Sequence, residues 1–239
     1  MTSLLLLALQ LAKPEKPLDP KDASSVADHV IFNTRSQERY EIAFTSTLSV
    51  PGTQAFERKG SCVWVSPGIL CMQYTGSGGE DMKVIRAGSR IWVYCLDQWA
   101  TDEEAGKVGA GRGLQNPDQV LELLSKRADK CRFAKDGLEF TFTGKDLGAL
   151  LGNQTDIEFD KSSSKVTVEV DGDNRLKKLK MNSTLLPKDS KNPSGTCDAT
   201  IDVLSFNGKM PLKVVNSKGR EIPFSVTIQQ AIEAISPKK

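Results

Sequence analysis

Between Tyr40 and Leu96 the chain alternates its side chains with a period of two and is broken only by short turns, which commits it to neighbouring antiparallel strands. Tyr40, Ile42, Phe44, Ser46, Leu48 and Val50 share one face of the first strand. Glu41, Ala43, Thr45 and Thr47 share the other, and Pro51-Gly52 ends it. Residues 60–74 read as two strands joined at Ser66-Pro67-Gly68, and residues 81–96 as two more joined at Ala87-Gly88-Ser89. Five consecutive strands on such short connections form an antiparallel meander, because parallel neighbours need crossovers of about a dozen residues or more.

Two segments break the alternation. Cys62-Val63-Trp64-Val65 and Ile91 to Leu96 are apolar on both faces. A strand of that kind is covered on both sides, by protein or by a bound apolar ligand. The aromatic residues concentrate in these strands and in a later hairpin: Phe44, Trp64, Tyr74, Trp92 and Tyr94, then Phe133, Phe140 and Phe142. Two arrangements account for this, a well-filled core and a large apolar cavity with few polar groups.

The rest of the chain supplies helices and more strands. Residues 13–22 (KPEKPLDPKD) have the proline content of a linker. From Ala23 the spacing turns helical, with Ala23, Val26, Ala27, Val30 and Ile31 on one stripe running to about Ser36 and His29 off it. The Gly-rich stretch 106–113 lacks both the Rossmann spacing and a Walker lysine, and reads as a loop. A helix over 117–127 follows, signalled by Asn116 as cap, Pro117 at the first helical position and Gln119 three residues past the cap. Residues 131–143 form a hairpin turning at Lys135-Asp136-Gly137. A short helix, capped by Thr143 and stopped by Gly152, comes next. Strands are expected at 156–159, 165–170 and 176–185, a hairpin at 199–204 with 212–215, and closing segments at 224–228 and 229–235. The sum is about eleven strands and three helices in one α+β domain, residues 23–239.

Composition narrows the function. The net charge of +2 comes from 32 basic and 30 acidic residues, well mixed, which argues against nucleic acid as a partner. Leu4 to Ala12 is an apolar run too short to span a bilayer, and it fits a secretory signal peptide over residues 1–12, cleaved after Ala12. The expected product is exported and soluble, periplasmic or secreted. Five cysteines (62, 71, 95, 131 and 197) suit an oxidising compartment, but without a CxxC pair and with a single histidine no zinc or other metal site is expected. Cys62 and Cys71 form a disulfide if the turn is centred between Ser66 and Pro67. A register moved by one residue on each strand sets Trp64 opposite Cys71 instead. With one histidine there is no Ser/His/Asp set, and neither GxSxG nor HExxH occurs, so the chain reads as a non-enzyme without cofactor.

Two hairpins and the element order resemble a known family. Gly60-Ser61-Cys62-Val63-Trp64-Val65-Ser66-Pro67 is similar to the Trp-Val-x-x-Pro stretch of the LolA-like periplasmic lipoprotein carriers, the LolA, LolB and LppX superfamily. Val84-Ile85-Arg86-Ala87-Gly88-Ser89-Arg90-Ile91-Trp92-Val93-Tyr94 resembles that family's next hairpin, and the likeness extends over about residues 23–215. It implies an open antiparallel half-barrel plugged by helices, a monomer that takes lipoprotein acyl chains or lipid into an apolar cavity and hands them to envelope transport machinery. Phe44, Leu48, Trp64, Met72, Tyr74, Trp92, Tyr94, Phe133, Phe140 and Phe142 are the expected cavity residues, with Ser66 and Pro67 at the lid turn. The family's arginine before the hairpin proline is replaced here by Ser66. The alternative on the same fold is a lipid- or protein-sensing module that binds without transporting.

Overall fold

The computed structural model describes residues 14, 16–52, 54–65, 69–76, 81–87, 90–95, 98–100, 117–127, 130–151, 157–189, 194–208, 213–215 and 221–223. Helix α1 (Ala23–Arg35) buries the expected stripe, Ala27, Val30, Ile31 and Thr34. Asp22 caps it, its carboxylate accepting the Ser24 N–H at 3.0 Å. Thr34 docks it: the hydroxyl donates to the Val30 carbonyl at 2.7 Å and accepts the Leu176 N–H at 2.8 Å, tying the helix to the sheet.

The sheet is one open antiparallel ladder of eleven strands, assembled from two meanders. The first runs β1 (Arg39–Ser49), β2 (Phe56–Val65), β3 (Ile69–Gly76), β4 (Asp81–Ala87), β5 (Arg90–Cys95) and β6 (Gln98–Ala100). Helix α2 (Pro117–Ser125) lies between the meanders in sequence. The second meander is β7 (Arg132–Ala134), β8 (Gly137–Thr143), β9 (Ser163–Val170), β10 (Leu176–Leu185) and β11 (Gly195–Phe206), with helix α3 (Gly144–Leu151) between β8 and β9. The first strand pairs with the last, giving the order β6-β5-β4-β3-β2-β1-β11-β10-β9-β8-β7. The β1–β11 seam joins the two halves. A separate two-stranded piece, β12 (Lys213–Val215) with β13 (Glu221–Pro223), brings the strands to thirteen among the described residues, against about eleven expected.

Three expectations are corrected. Residues 199–204 do not form a hairpin with 212–215; they belong to β11, held between β1 and β10. Cys197, Ala199, Ile201 and Val203 alternate with Asp198, Thr200 and Asp202, and only a place inside the sheet covers that apolar row. Residues 157–159 do not form the strand expected at 156–159. Ile157 makes one bridge to Pro187, and Phe159–Lys161 is a 3-10 turn, where Ser162 supplies the bonds a ladder would: its hydroxyl donates to the Glu158 carbonyl and accepts the Leu186 N–H. Finally, β2 and β3 pair with Val65 opposite Ile69. Cys62 then faces Met72 and Val63 faces Cys71, so the two cysteines occupy opposite faces as free thiols and cannot bond. Burial pushes the Cys71 thiol up to about 12 and raises Cys62 further still. The closing segments 224–228 and 229–235, the Gly-rich stretch 106–113 and the turn residues Ser66 and Pro67 lie outside the described residues.

Apolar rows cross one face of the sheet. Leu138, Val168, Leu179, Ile201 and Phe44 are successive partners along one such row. The helices cover the second meander on this face, where Val30, Leu121, Leu124, Leu138, Phe140, Phe142 and Leu147 are each at most 2 % exposed. The first meander has its own smaller core of Tyr40, Ile42, Cys62, Trp64, Met72 and Val84. Ile201 and Val203 of β11 pack against both cores. On the opposite face the second meander is polar, with Lys178–Asp202 at 2.9 Å, Lys180–Glu169 at 3.0 Å and Lys165–Glu139 at 2.5 Å. Tight local geometry fixes the β7–β8 hairpin: a Cβ on Gly137 would lie 2.1 Å from the Val168 carbonyl oxygen, at a φ of +140°.

Candidate functional site

Where the two cores fail to merge there is a cavity of about 290 Å³. Its floor is the β1–β11 seam. Along this part of the sheet face Ser46 pairs with Ala199, and Phe44 pairs with Gly60. Three small residues in neighbouring rows leave room that larger side chains would fill. Leu179 and Met181 of β10 extend the floor on one side, Ile42 and Met72 on the other. Val120 of α2 and Leu150 and Leu151 of α3 form the roof.

The lining is almost wholly aliphatic, aromatic or sulfur-bearing, with Ser46, Thr45 and Thr200 among the few polar residues and Arg58 the charged one. At one end Leu48 and Phe56, paired across β1 and β2, are 36 % and 43 % exposed and mark the mouth. Arg58 lies beside them, its guanidinium carbon 4.9 Å from the centre of the Phe56 ring. Cys197 also lines this end, paired with Leu48, and burial raises its thiol above the ordinary range. Elsewhere in the lining Ile42, Val120 and Val166 are buried.

The expected cavity residues separate into groups. Phe44, Leu48 and Met72 line the cavity. Trp64 shares their sheet face but stacks on Tyr40, ring centres 5.0 Å apart, inside the first-meander core. Phe140 and Phe142 lie sealed in the core beneath the helices, 2 % and 1 % exposed, and do not line the cavity. Phe133 sits on the short edge strand β7 and is 51 % exposed. Tyr74 pairs with Gly60, level with Phe44. Trp92 falls level with Ile85, Cys71 and Val63, and Tyr94 level with Lys83, in rows that alternate with the cavity rows. The side chains of Tyr74, Trp92 and Tyr94 lie outside the described residues, as do Ser66 and Pro67.

Sequence reasoning missed Phe56, Arg58, Met181 and Cys197, and did not bring the helix residues Val120, Leu150 and Leu151 to the site. The usable signal was the recurrence of small residues, Ser46, Gly60 and Ala199, on strands that otherwise present large apolar side chains. A second, more polar depression lies at the start of α1, lined by Lys16, Asp22, Asp28 and His29. There the His29 Nδ1 lies 2.8 Å from the Ser25 carbonyl, and burial raises the Asp28 carboxyl despite the nearby His29. Among the described residues no three His, Cys, Asp or Glu side chains gather as metal ligands, and no helix is long and apolar enough to cross a membrane.

No protein-family model and no curated protein matches the chain. Among solved structures it is similar to the lipoprotein LppX of Mycobacterium tuberculosis, at 14% identity, covering 80% of this chain and 98% of that one, with a TM-score of 0.44. It is also similar to a LolA superfamily protein from Nitrosomonas europaea (10% identity, 77% and 94% covered, TM-score 0.35). A DUF1329 family protein from Desulfovibrio piger compares at 10% identity, 80% and 95% covered, TM-score 0.35. At these scores the likeness is one of outline, and what the cavity takes follows from its own lining.

Proposed function

We propose that this protein is a non-enzymatic carrier that takes an acyl chain of a lipid or lipoprotein into the cavity under α2 and α3 and releases it elsewhere in the cell envelope after export. The observation that carries the reading is the cavity itself: about 290 Å³ of space on an apolar sheet face, roofed by aliphatic side chains and open at one end. A chain buried there gains about 0.8 kcal/mol per methylene with no covalent step, so loading and release follow differences in hydrophobic affinity between donor, carrier and acceptor. The open sheet then acts as a half-barrel and the helices as its cover.

Native mass spectrometry after gentle purification tests this, with co-purified lipid as the expected result. Ala199→Leu fills the cavity floor and is expected to weaken binding of a neutral apolar fluorophore about tenfold or more, with the melting temperature kept. A clean apoprotein that binds no apolar probe would sink the proposal.

A further inference from the structure

We propose that the cavity takes a single hydrocarbon chain of about ten carbons and not a two-tailed lipid, with Met181 as the stop that sets the length. This deepens the proposed function and rests on it. The reason lies in the rows of the floor. Arg58, Ser46, Ala199, Met181 and Val166 are successive partners across β2, β1, β11, β10 and β9. Ser46 and Ala199 are the short side chains of that row, so the sheet face dips over the seam. The neighbouring row Phe44, Ile201 and Leu179 walls the dip on one side, and Leu48 with Cys197 walls it on the other.

The dip is one chain wide. Its walls stand four residues apart along β1, about 13 Å at the usual rise of a strand. Two chains side by side need three carbon contacts of about 4 Å each between the wall atoms. The bulk of the Phe44 and Leu48 side chains narrows the gap below that. A tail enters at the mouth by Leu48 and Phe56 and runs along the dip toward Met181, which rises between Ala199 and the buried Val166. From Arg58 to Met181 is three strand spacings, about 14 Å. The volume agrees: at about 30 Å³ for each water-sized group, about 290 Å³ holds about ten chain atoms. A lipid with two tails of about sixteen carbons needs about three times that space.

Lysophosphatidylcholines with tails of six to sixteen carbons keep the headgroup constant. They are titrated below micelle formation into the intact chain, by displacement of a neutral apolar fluorophore. Affinity is expected to rise about fourfold per methylene up to about ten carbons and to level off beyond. Didecanoyl phosphatidylcholine is expected to gain only the statistical advantage of offering two tails. Met181→Ala removes three side-chain atoms and is expected to move the break up by about three carbons. A rise that keeps its slope through the longest tail, or a second tail worth as much as the first, overturns the single-chain assignment and leaves the apolar carrier standing. A break that stays in place in a folded Met181 variant overturns Met181 as the stop. If neither the fluorophore nor any tail binds, the carrier reading falls and the chain limit with it. Should Met181→Ala fail to fold, Met181→Phe raises the stop and is expected to move the break down. The series in the unaltered protein decides the single-chain assignment without any variant.

Discussion

The second meander, β7–β11, carries helices on one face and ion pairs on the other, whereas the first, β1–β6, has apolar residues in both sets of its rows. In the second, Leu138, Val168 and Leu179 meet the helices while Lys165, Glu139, Lys178 and Asp202 pair on the far face. In the first, the row Ile42–Cys62–Met72–Val84 alternates with the row Val63–Cys71–Ile85–Trp92, and both are apolar. The helix-covered half has the larger sealed core, and the cavity opens where that cover meets the first half. What the difference teaches is that a ligand space needs a change of cover along a continuous sheet, more than it needs aromatic residues.

Deleting the largest packed side chain of the helix-covered half gives the strongest test of that comparison. Phe140→Ala is expected to cost about 3–5 kcal/mol in denaturant unfolding, because its surroundings are too tightly filled to collapse. Backbone circular dichroism and tryptophan fluorescence should lose signal in one transition, since the β1–β11 ladder couples the halves; two separated transitions would break the comparison into independent units. Next in size is Thr34→Val, which keeps the shape but orphans the buried Leu176 N–H, at about 1–3 kcal/mol. An unchanged denaturation midpoint would mean that α1 does not depend on this bond for its seat on β10.

The smallest effect concerns the charged face. Hydrogen bonds from Lys165 and then Arg132 hold the Glu139 carboxyl below its ordinary value. A depressed carboxylate stabilises the fold fully above its unfolded pKa, about 4.3, and loses that contribution as pH falls through the folded value. Glu139→Gln is therefore expected to flatten the loss of stability below about pH 4 and to lower stability modestly at neutral pH. An acid-unfolding curve identical to that of the unaltered protein would show that this pair adds nothing.

Much of the fold was legible because local rules dominated it. The β1 faces followed from strict alternation, α1 from its apolar stripe, and the β7–β8 hairpin from Lys135-Asp136-Gly137. The partner of β11 was not legible, since pairing between residues near 44 and near 201 leaves no trace in either segment alone. Periodicity likewise placed Phe140 and Phe142 on one face of their own strand, but could not tell that the helices seal that part of the sheet. The disulfide expectation failed by half a register step: pairing Val65 with Ile69 sets Val63 opposite Cys71, on the face away from Cys62.

The seam between β1 and β11 also sets the order of assembly. Synthesis delivers β1 early and β11 only after the rest of the second meander, so the floor of the cavity has to wait for the late part of the chain. Closing so long a loop is entropically inexpensive per added residue but slow, and folds rich in such distant pairings cross their barrier late. Until then β1 keeps one edge unpaired, the edge that β11 eventually occupies, and is open to the wrong strand. A nascent chain therefore lacks the cavity altogether. The cavity appears with the final closure of the sheet, when its floor at the β1–β11 seam forms.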